Sequence, residues 1–319
     1  MARIAVLDDY QRVAHRFADW DSLKPHEINF FHAPLGGPDA IVEALRPFDI
    51  IAAMRERTAF PAAVIERLPN LKLIVTTGAR NASVDVKAAA ARGITVCGTE
   101  GQNHPTPELT WALILALARK IPAADAAMRV GAWQEGITPG FGLKGQTLGL
   151  LGLGRLGGAV ARIGAAFGMK LIAWSSNLTA ERAQEFGATL VDKPTLFRSA
   201  DFLTIHMVLG PRSRGLVGAA DLALMKPTAY LVNTSRGPIV DEAALLAVLK
   251  AGKIGGAGID VYDHEPLPAG HPLRSLSNTV LTPHLGYVTG DTYEVFYPQT
   301  VEGIRAYLAG KPVRVIPAG

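Results

Sequence analysis

The chain predicts an α/β protein made of two doubly wound parallel sheets, and two observations predict it. Short β-rich runs alternate with helical patterns twice, once before and once after a long apolar helical pattern at Glu108–Ile121. Such alternation belongs to parallel sheets with helices on both faces. The second set also opens on Gly152-Leu153-Gly154-Arg155-Leu156-Gly157, set between the strand-like run Thr147–Leu151 and the helical run Leu156–Phe167, with a second apolar run, Lys170–Trp174, after it.

In the first set the expected strands are Ile4–Leu7, Ile28–Phe31, Ile50–Ala53, Leu73–Thr76 and Ile94–Cys97. Helices are expected between them around Tyr10–Asp19, Asp39–Leu45, Pro61–Leu68 and Val84–Ala91. Glu108–Ile121, rich in Leu and Ala, reads as one long helix, and the glycine-rich, aromatic stretch Gly131–Leu143 as a connecting loop. The second set has strands at Leu148–Leu151, Leu171–Trp174, Thr189–Val191, Phe202–His206, Tyr230–Asn233, Gly258–Val261 and Val280–Thr282. Its first helix places Leu156, Val160, Ile163 and Phe167 at helical spacing with Gly168 as C-cap, and Asp241–Lys250 is another helix. A last helix, Asp291–Leu308, carries no motif and is expected to return to the first domain.

In its strand–turn–helix–strand setting, the glycine turn means a dinucleotide pyrophosphate site of the Rossmann type. Gly152 permits the tight turn, Gly154 lets the backbone approach the pyrophosphate, and Gly157 lets helix and strand pack closely. The N–H groups and dipole at the helix start then hold the anion. The second strand ends in Ser175-Ser176-Asn177, where an Asp or Glu would hold the ribose 2′-hydroxyl of NAD.

Composition excludes several classes. The 319 residues are 49% hydrophobic and 19% charged, the balance of a globular protein with filled cores. The net charge of +4 comes with no basic block, which argues against nucleic acid. Leu109–Ala118 is too short to span a membrane, and Met1-Ala2-Arg3-Ile4 runs into a strand with no signal peptide, so a cytoplasmic protein is expected. Cys97, the only cysteine, suits a reducing compartment and reads as a buried structural thiol. His104, His206 and His271 lack metal-ligand spacing, and no metal is expected. Neither Ser175 nor Ser235 lies in a hydrolase elbow, His264 is expected to face solvent, and Trp111, Trp133 and Trp174 read as packing residues.

Three segments place a functional side chain just past a strand end, where ligands of such sheets bind: Asn233-Thr234-Ser235-Arg236-Gly237, Gly258-Ile259-Asp260-Val261 leading to Glu265-Pro266-Leu267-Pro268, and Thr282-Pro283-His284-Leu285-Gly286. Arginine offers a bidentate fork to a carboxylate. Histidine trades protons near neutral pH, and a neighbouring carboxylate stabilises its protonated form. Beside a nicotinamide, these are the groups needed to reduce a 2-keto acid.

The order of these motifs resembles that of the D-isomer-specific 2-hydroxyacid dehydrogenases, over essentially the whole chain. That family includes glyoxylate/hydroxypyruvate reductases, phosphoglycerate dehydrogenases and formate dehydrogenases. The resemblance implies an NAD(P)-dependent oxidoreductase interconverting a small 2-keto acid and a D-2-hydroxy acid. Glyoxylate or hydroxypyruvate is the favoured substrate, since no extra regulatory domains are seen. A phosphoglycerate dehydrogenase-like enzyme and a dinucleotide-sensing, corepressor-like module are the alternatives. The cofactor domain, residues 105–287, would be inserted into a flavodoxin-like substrate domain, residues 1–104 and 288–319, with a cleft between the sheets. A homodimer is implied, through the cofactor domain and the Glu108 helix.

Carried over by resemblance, Arg236 orients the substrate, His284 is the acid/base and Glu265 is its carboxylate partner. Gly152, Gly154, Arg155, Leu156, Gly157, His206, Met207, Thr234, Asp260 and Gly286 would bind the cofactor, with Asp260 near the nicotinamide carboxamide. Arg55, in Met54-Arg55-Glu56-Arg57-Thr58, and the backbone of Gly78 and Ala79 would face substrate. Thr106-Pro107-Glu108, Gly131-Ala132-Trp133 and Gly145–Gly149 also fit.

Three departures stand out: His206-Met207-Val208-Leu209-Gly210 lacks the family's Pro and Thr, Arg80 replaces the second glycine of the substrate turn, and Ser175 replaces the Asp of NAD-preferring members. Serine removes the repulsion of a 2′-phosphate and can donate to it. With Ser176, Asn177 and the nearest downstream arginine, Arg182, it predicts NADP(H) in preference to NAD(H).

Overall fold

The structure, a computed structural model, describes residues 1–318. The chain divides into two units, Met1–Gln102 with the stretch from Thr289 onward, and Asn103–Val288.

The first unit holds five parallel strands: β1 (Arg3–Val6), β2 (Glu27–Phe30), β3 (Ile50–Ala53), β4 (Leu73–Thr76) and β5 (Thr95–Cys97), in the order β2-β1-β3-β4-β5. The central strands β3 and β4 are buried throughout, as strands covered on both faces must be. Helices α1 (Ala14–Phe17), α2 (Pro38–Leu45), α3 (Ala62–Ile65) and α4 (Val86–Ala91) connect them. Pro38 suits the first turn of α2, where its missing N–H costs nothing, and Asp85 caps α4 by accepting from the Ala88 N–H. The helix Gly290–Leu308 belongs to this unit, with Gly303 facing Val75 of β4.

The helix expected at Tyr10–Asp19 shrinks to α1. Asp8 and Arg12 take left-handed φ values of 61° and 56°, and the buried Asp9 carboxylate accepts from the N–H groups of Val13 and Ala14, so the helix begins only there. Cys97 is buried, and that burial pushes its thiol up.

The second unit holds seven parallel strands: β6 (Thr147–Leu151), β7 (Lys170–Trp174), β8 (Thr189–Leu190), β9 (Phe202–Ile205), β10 (Tyr230–Asn233), β11 (Gly256–Ile259) and β12 (Thr279–Leu281). Their order, β12-β11-β10-β9-β6-β7-β8, reverses direction between β6 and β9, which is the switch point of a Rossmann sheet. The helices are α5 (Pro105–Arg119), α6 (Ile121–Arg129), α7 (Arg155–Ala166), α8 (Ala180–Gln184), α9 (Lys193–Ser199), α10 (Ala219–Leu222) and α11 (Glu242–Lys250). β11 ends two residues before the expected run does, which leaves Asp260 just past its carboxyl end.

The helix expected at Glu108–Ile121 starts three residues earlier, at Pro105, and stops at Lys120. There the chain turns left-handed, with φ 56°, and a second helix, α6, which was not among the expected elements, follows before the Gly131–Leu143 stretch. Trp111 packs as expected and donates its Nε1–H to the carbonyl of Val160 at 3.2 Å. Trp133 does not: it is 67% exposed, beyond an α6 helix that buries no residue in this chain, so its packing role is corrected. Among the described residues, no helix is long and apolar enough to cross a membrane.

Candidate active site

The glycine turn lies at the β6/β9 switch point. Gly152 has φ 99°, and a Cβ there would sit 2.6 Å from the His206 carbonyl oxygen, so only glycine fits both the dihedral and the space. A Cβ on Gly157 would run into the Gly152 carbonyl, which forces the start of α7 against the strand end. A Cβ on Gly154 would meet nothing within 4 Å, so the space above the start of α7 is open. Gly154 is the N-cap of α7 and offers no side-chain acceptor, so the first-turn N–H groups point into that space uncapped. The Nε2 of His206, beside the turn, is buried without a hydrogen-bond partner, and burial pulls the imidazole down to about 4. It is therefore neutral at pH 7. An open cradle of uncapped N–H groups with a neutral ring beside it fits the pyrophosphate of a dinucleotide.

At the end of β7, Ser175 is half-buried, and Ser176 and Asn177 are exposed. Arg182 lies on α8, whose N-cap Thr179 accepts from the Arg182 N–H at 3.2 Å. Its guanidinium pairs with Glu185 and lies 4.7 Å from the centre of the Phe186 ring. Phe186 in turn packs into the space a side chain on Gly158 would need, one residue past the fingerprint. The arginine expected at the ribose thus stands beside α7 while paired to a glutamate.

Arg236, Glu265 and His284 come from three adjacent strand ends. Asn233, buried at the end of β10, accepts from the Ser235 N–H at 3.0 Å and donates to the Arg236 carbonyl at 3.0 Å, folding the loop back on itself. The Ser235 hydroxyl donates to the Met207 carbonyl at 2.5 Å, which ties this loop to the one after β9. Gly237 follows, so close to the Tyr262–Asp263 backbone that no side chain fits. That approach brings Arg236 near the segment that carries Glu265.

Glu265 Oε1 accepts from the Tyr262 N–H at 2.9 Å, and Oε2 lies 2.6 Å from His284 Nδ1. Burial acts to raise the Glu265 carboxyl. The hydrogen bond and charge of His284, the Tyr262 N–H and the Arg236 charge outweigh it and hold the group below the usual range. The His284 and Glu265 side chains are 15% and 30% exposed, so the pair is largely shielded from water without being sealed off.

His284 takes φ 55°, a left-handed conformation that needs outside support. Asp260 supplies it. Its carbonyl accepts from the His284 N–H at 2.8 Å; its Oδ1 accepts from the Thr282 hydroxyl at 2.6 Å and the Leu285 N–H at 2.7 Å; its Oδ2 accepts from the Gly286 N–H at 3.0 Å. Burial pushes the Asp260 carboxyl up against these bonds and the His284 charge. In this structure Asp260 holds the histidine turn. Asn233 and Thr282 opened two of the quoted segments without a role of their own, and Tyr262 lay in none; their only sequence signal was a polar side chain at a strand end.

On the first unit, Arg55 has φ 51°, and its guanidinium covers the face of Gly78, where no side chain could stand. The Arg55 N–H donates to the Thr77 hydroxyl at 2.9 Å, and Asn81 donates to the Arg55 carbonyl at 2.6 Å. The Gly78 N–H is engaged by the Thr99 hydroxyl at 2.7 Å, whereas Ala79 and Arg80 are exposed. Arg57 lies 4.7 Å over the Tyr10 ring and donates to the Asp8 carbonyl at 3.3 Å.

Residues 111–286 match the model of the D-isomer specific 2-hydroxyacid dehydrogenase, NAD binding domain. The chain is 37% identical to a glyoxylate reductase of Thermococcus litoralis over 90% of this chain and 89% of that protein. It is 38% identical to a D-3-phosphoglycerate dehydrogenase of Synechocystis over 86% of this chain but 49% of that protein. The crystal structure of a phosphoglycerate oxidoreductase from Vibrio cholerae superposes with a TM-score of 0.91 at 37% identity, over 97% of this chain and 100% of that one. The chain therefore belongs to the D-isomer specific 2-hydroxyacid dehydrogenases. These are oxidoreductases that pass a hydride between a nicotinamide dinucleotide and a small 2-keto or 2-hydroxy acid.

Proposed function

We propose that the protein reduces a glyoxylate- or hydroxypyruvate-like 2-keto acid to its D-2-hydroxy acid, with NADP(H) favoured over NAD(H). The observation that carries this is the 2.6 Å contact of His284 with Glu265 on the segment that Gly237 brings close to Arg236. In this reading Arg236 binds and orients the substrate carboxylate through its bidentate fork. His284 donates its Nδ1–H to Glu265, which leaves Nε2 to give a proton to the carbonyl oxygen. The Glu265 carboxylate stabilises the imidazolium before the proton leaves. The bound dinucleotide supplies the hydride to the substrate carbon. Gly152, Gly154, Arg155, Leu156 and Gly157 would hold its pyrophosphate, with His206 and Met207 beside them. A positioned general acid contributes about 10²–10⁴ in rate.

The small substrate is supported by the glyoxylate reductase, which matches along nearly its whole length. A phosphoglycerate-like acid is the second reading, favoured by the Arg55 cation and by the Vibrio cholerae likeness. Arg55 and Ala79 are assigned to substrate on the cation and amide they offer, and Gly78, whose N–H is given to the Thr99 hydroxyl, on its place in the same turn. The NADP(H) assignment rests on Ser175, which presents no carboxylate to repel a 2′-phosphate. A homodimer is supported by the exposed Ile121, Met128, Val130 and Trp133 in and beyond α6. Oxidation of NADPH and of NADH with a panel of 2-keto acids tests the whole reading. Turnover is expected with glyoxylate and hydroxypyruvate, faster with NADPH, and dinucleotide binding without turnover on any member would overturn it.

A further inference from the structure

Helix α5 carries Thr106 and Thr110 one turn apart, so both stand on one face. The Thr106 hydroxyl donates to the Gly286 carbonyl at 2.8 Å, in the turn that holds His284. The Thr110 hydroxyl lies 2.9 Å from the Thr106 carbonyl and 2.8 Å from the Thr234 hydroxyl, in the loop that holds Arg236. A hydroxyl has one proton to give. Thr110 spends it on the Thr106 carbonyl, so Thr234 must be the donor to Thr110. Thr110 and Thr234 are 0% and 5% exposed, so no water replaces this bond if it is broken. Gly286 is gripped from both sides: a Cβ there would stand 3.3 Å from Asp260 Oδ2 and 3.3 Å from Thr106 Oγ1. Otherwise the two loops leave different strands, β10 and β12, which are not neighbours in the sheet.

We infer that Thr110 is a positioning residue: through Thr234 on one side and Thr106 on the other, its hydroxyl sets the Arg236 loop and the His284 turn in register on one face of α5. The inference rests on the reading that Arg236 and His284 act on substrate. Its consequence is that a hydroxyl on α5, beyond the Thr106-Pro107-Glu108 match, fixes how substrate carboxylate and proton donor meet. Misplacing reacting groups by about 1 Å can cost on the order of 10²-fold.

The test is a set of four variants assayed with glyoxylate and NADPH. Thr110→Val keeps the shape, removes the hydroxyl and strands the Thr234 donor, which costs stability as well as register. Thr110→Val with Thr234→Val removes both partners, so stability should return towards that of the parent while the link stays broken. Thr110→Ser keeps the hydroxyl, and Arg236→Lys reports on the underlying reading. The double variant should melt near the parent temperature, yet at saturating NADPH lose about ten- to a hundred-fold in kcat/KM, mostly through KM for the keto acid. Thr110→Ser should restore most of the activity. Recovery of activity together with stability in the double variant would overturn the inference and leave the bond a structural one. Equal losses in the Ser and Val variants would overturn it too. Failure of the underlying reading looks different: Arg236→Lys then leaves keto-acid kinetics unchanged.

Discussion

His284 Nδ1 stands 2.6 Å from Glu265 Oε2, and the histidine reaches that position only in a left-handed backbone conformation held by Asp260. Sequence order and sheet order both matter here. β11 ends at Ile259, just before Asp260, and leads to Glu265, and its neighbour β12 ends just before the histidine turn. The two parallel strands therefore deliver carboxylate and imidazole to one edge of the sheet.

Replacing Glu265 by Gln separates charge from shape. The carboxyl is held below the usual range, so its contribution to stability is fully present above about pH 4.5, the ordinary glutamate value, and is lost as pH falls through its folded pKa. Glu265→Gln should lower the melting temperature at pH 7, with a smaller difference from the parent at pH 3. It should also lower kcat by about ten-fold or more. Melts at the two pH values check this, and an equal deficit at both would contradict the charge argument.

His206 predicts an acid weakness from the opposite kind of group. Its imidazole is pulled from 6.5 to about 4 by burial, so between those values the folded state binds fewer protons than the unfolded state. Its contribution is complete above pH 6.5 and is lost as pH falls towards 4, by about 3 kcal/mol in all at about 1.4 kcal/mol per unit. Denaturant unfolding of His206→Gln at pH 4.5 and pH 7 should show a flatter pH dependence than the parent.

Gly237→Ala should act on register. The added Cβ would strike the Tyr262–Asp263 backbone, which cannot swing aside as a side chain would. A stability loss of about 1–3 kcal/mol is expected, along with a kcat/KM loss on the keto acid larger than any change in NADPH affinity. Dinucleotide binding by fluorescence, set beside steady-state kinetics, separates the two effects.

Ser175→Asp should move cofactor preference towards NADH by restoring a carboxylate that accepts from the ribose hydroxyls and repels a 2′-phosphate. Because Arg182 is paired with Glu185, Arg182→Ala should raise KM for NADPH more than KM for NADH only if the guanidinium leaves that pair on binding. Kinetics of both variants with both cofactors decide it.

Much of this was legible in the residues. The Gly152 turn could be read because its dihedral and clearances admit nothing larger, and the strands Ile50–Ala53 and Leu73–Thr76 because a strand buried on both faces is a continuous apolar run. Arg236, Glu265 and His284 stood out as chemically rich side chains at strand ends. What stayed hidden depends on which surfaces meet. Asp8 and Arg12 turn left-handed against helical propensity, Trp133 faces outward, and Arg182 prefers Glu185, three residues further along the chain. The bond between Thr110 and Thr234 joins residues 124 apart and follows no spacing rule.

The central claim is that His284 is the proton donor, and the most direct measurement is kcat for glyoxylate reduction by His284→Gln, with NADPH affinity measured on the same preparation. The account predicts a fall of about 10²–10⁴-fold in kcat with cofactor binding nearly unchanged. Turnover within a few-fold of the parent would contradict it.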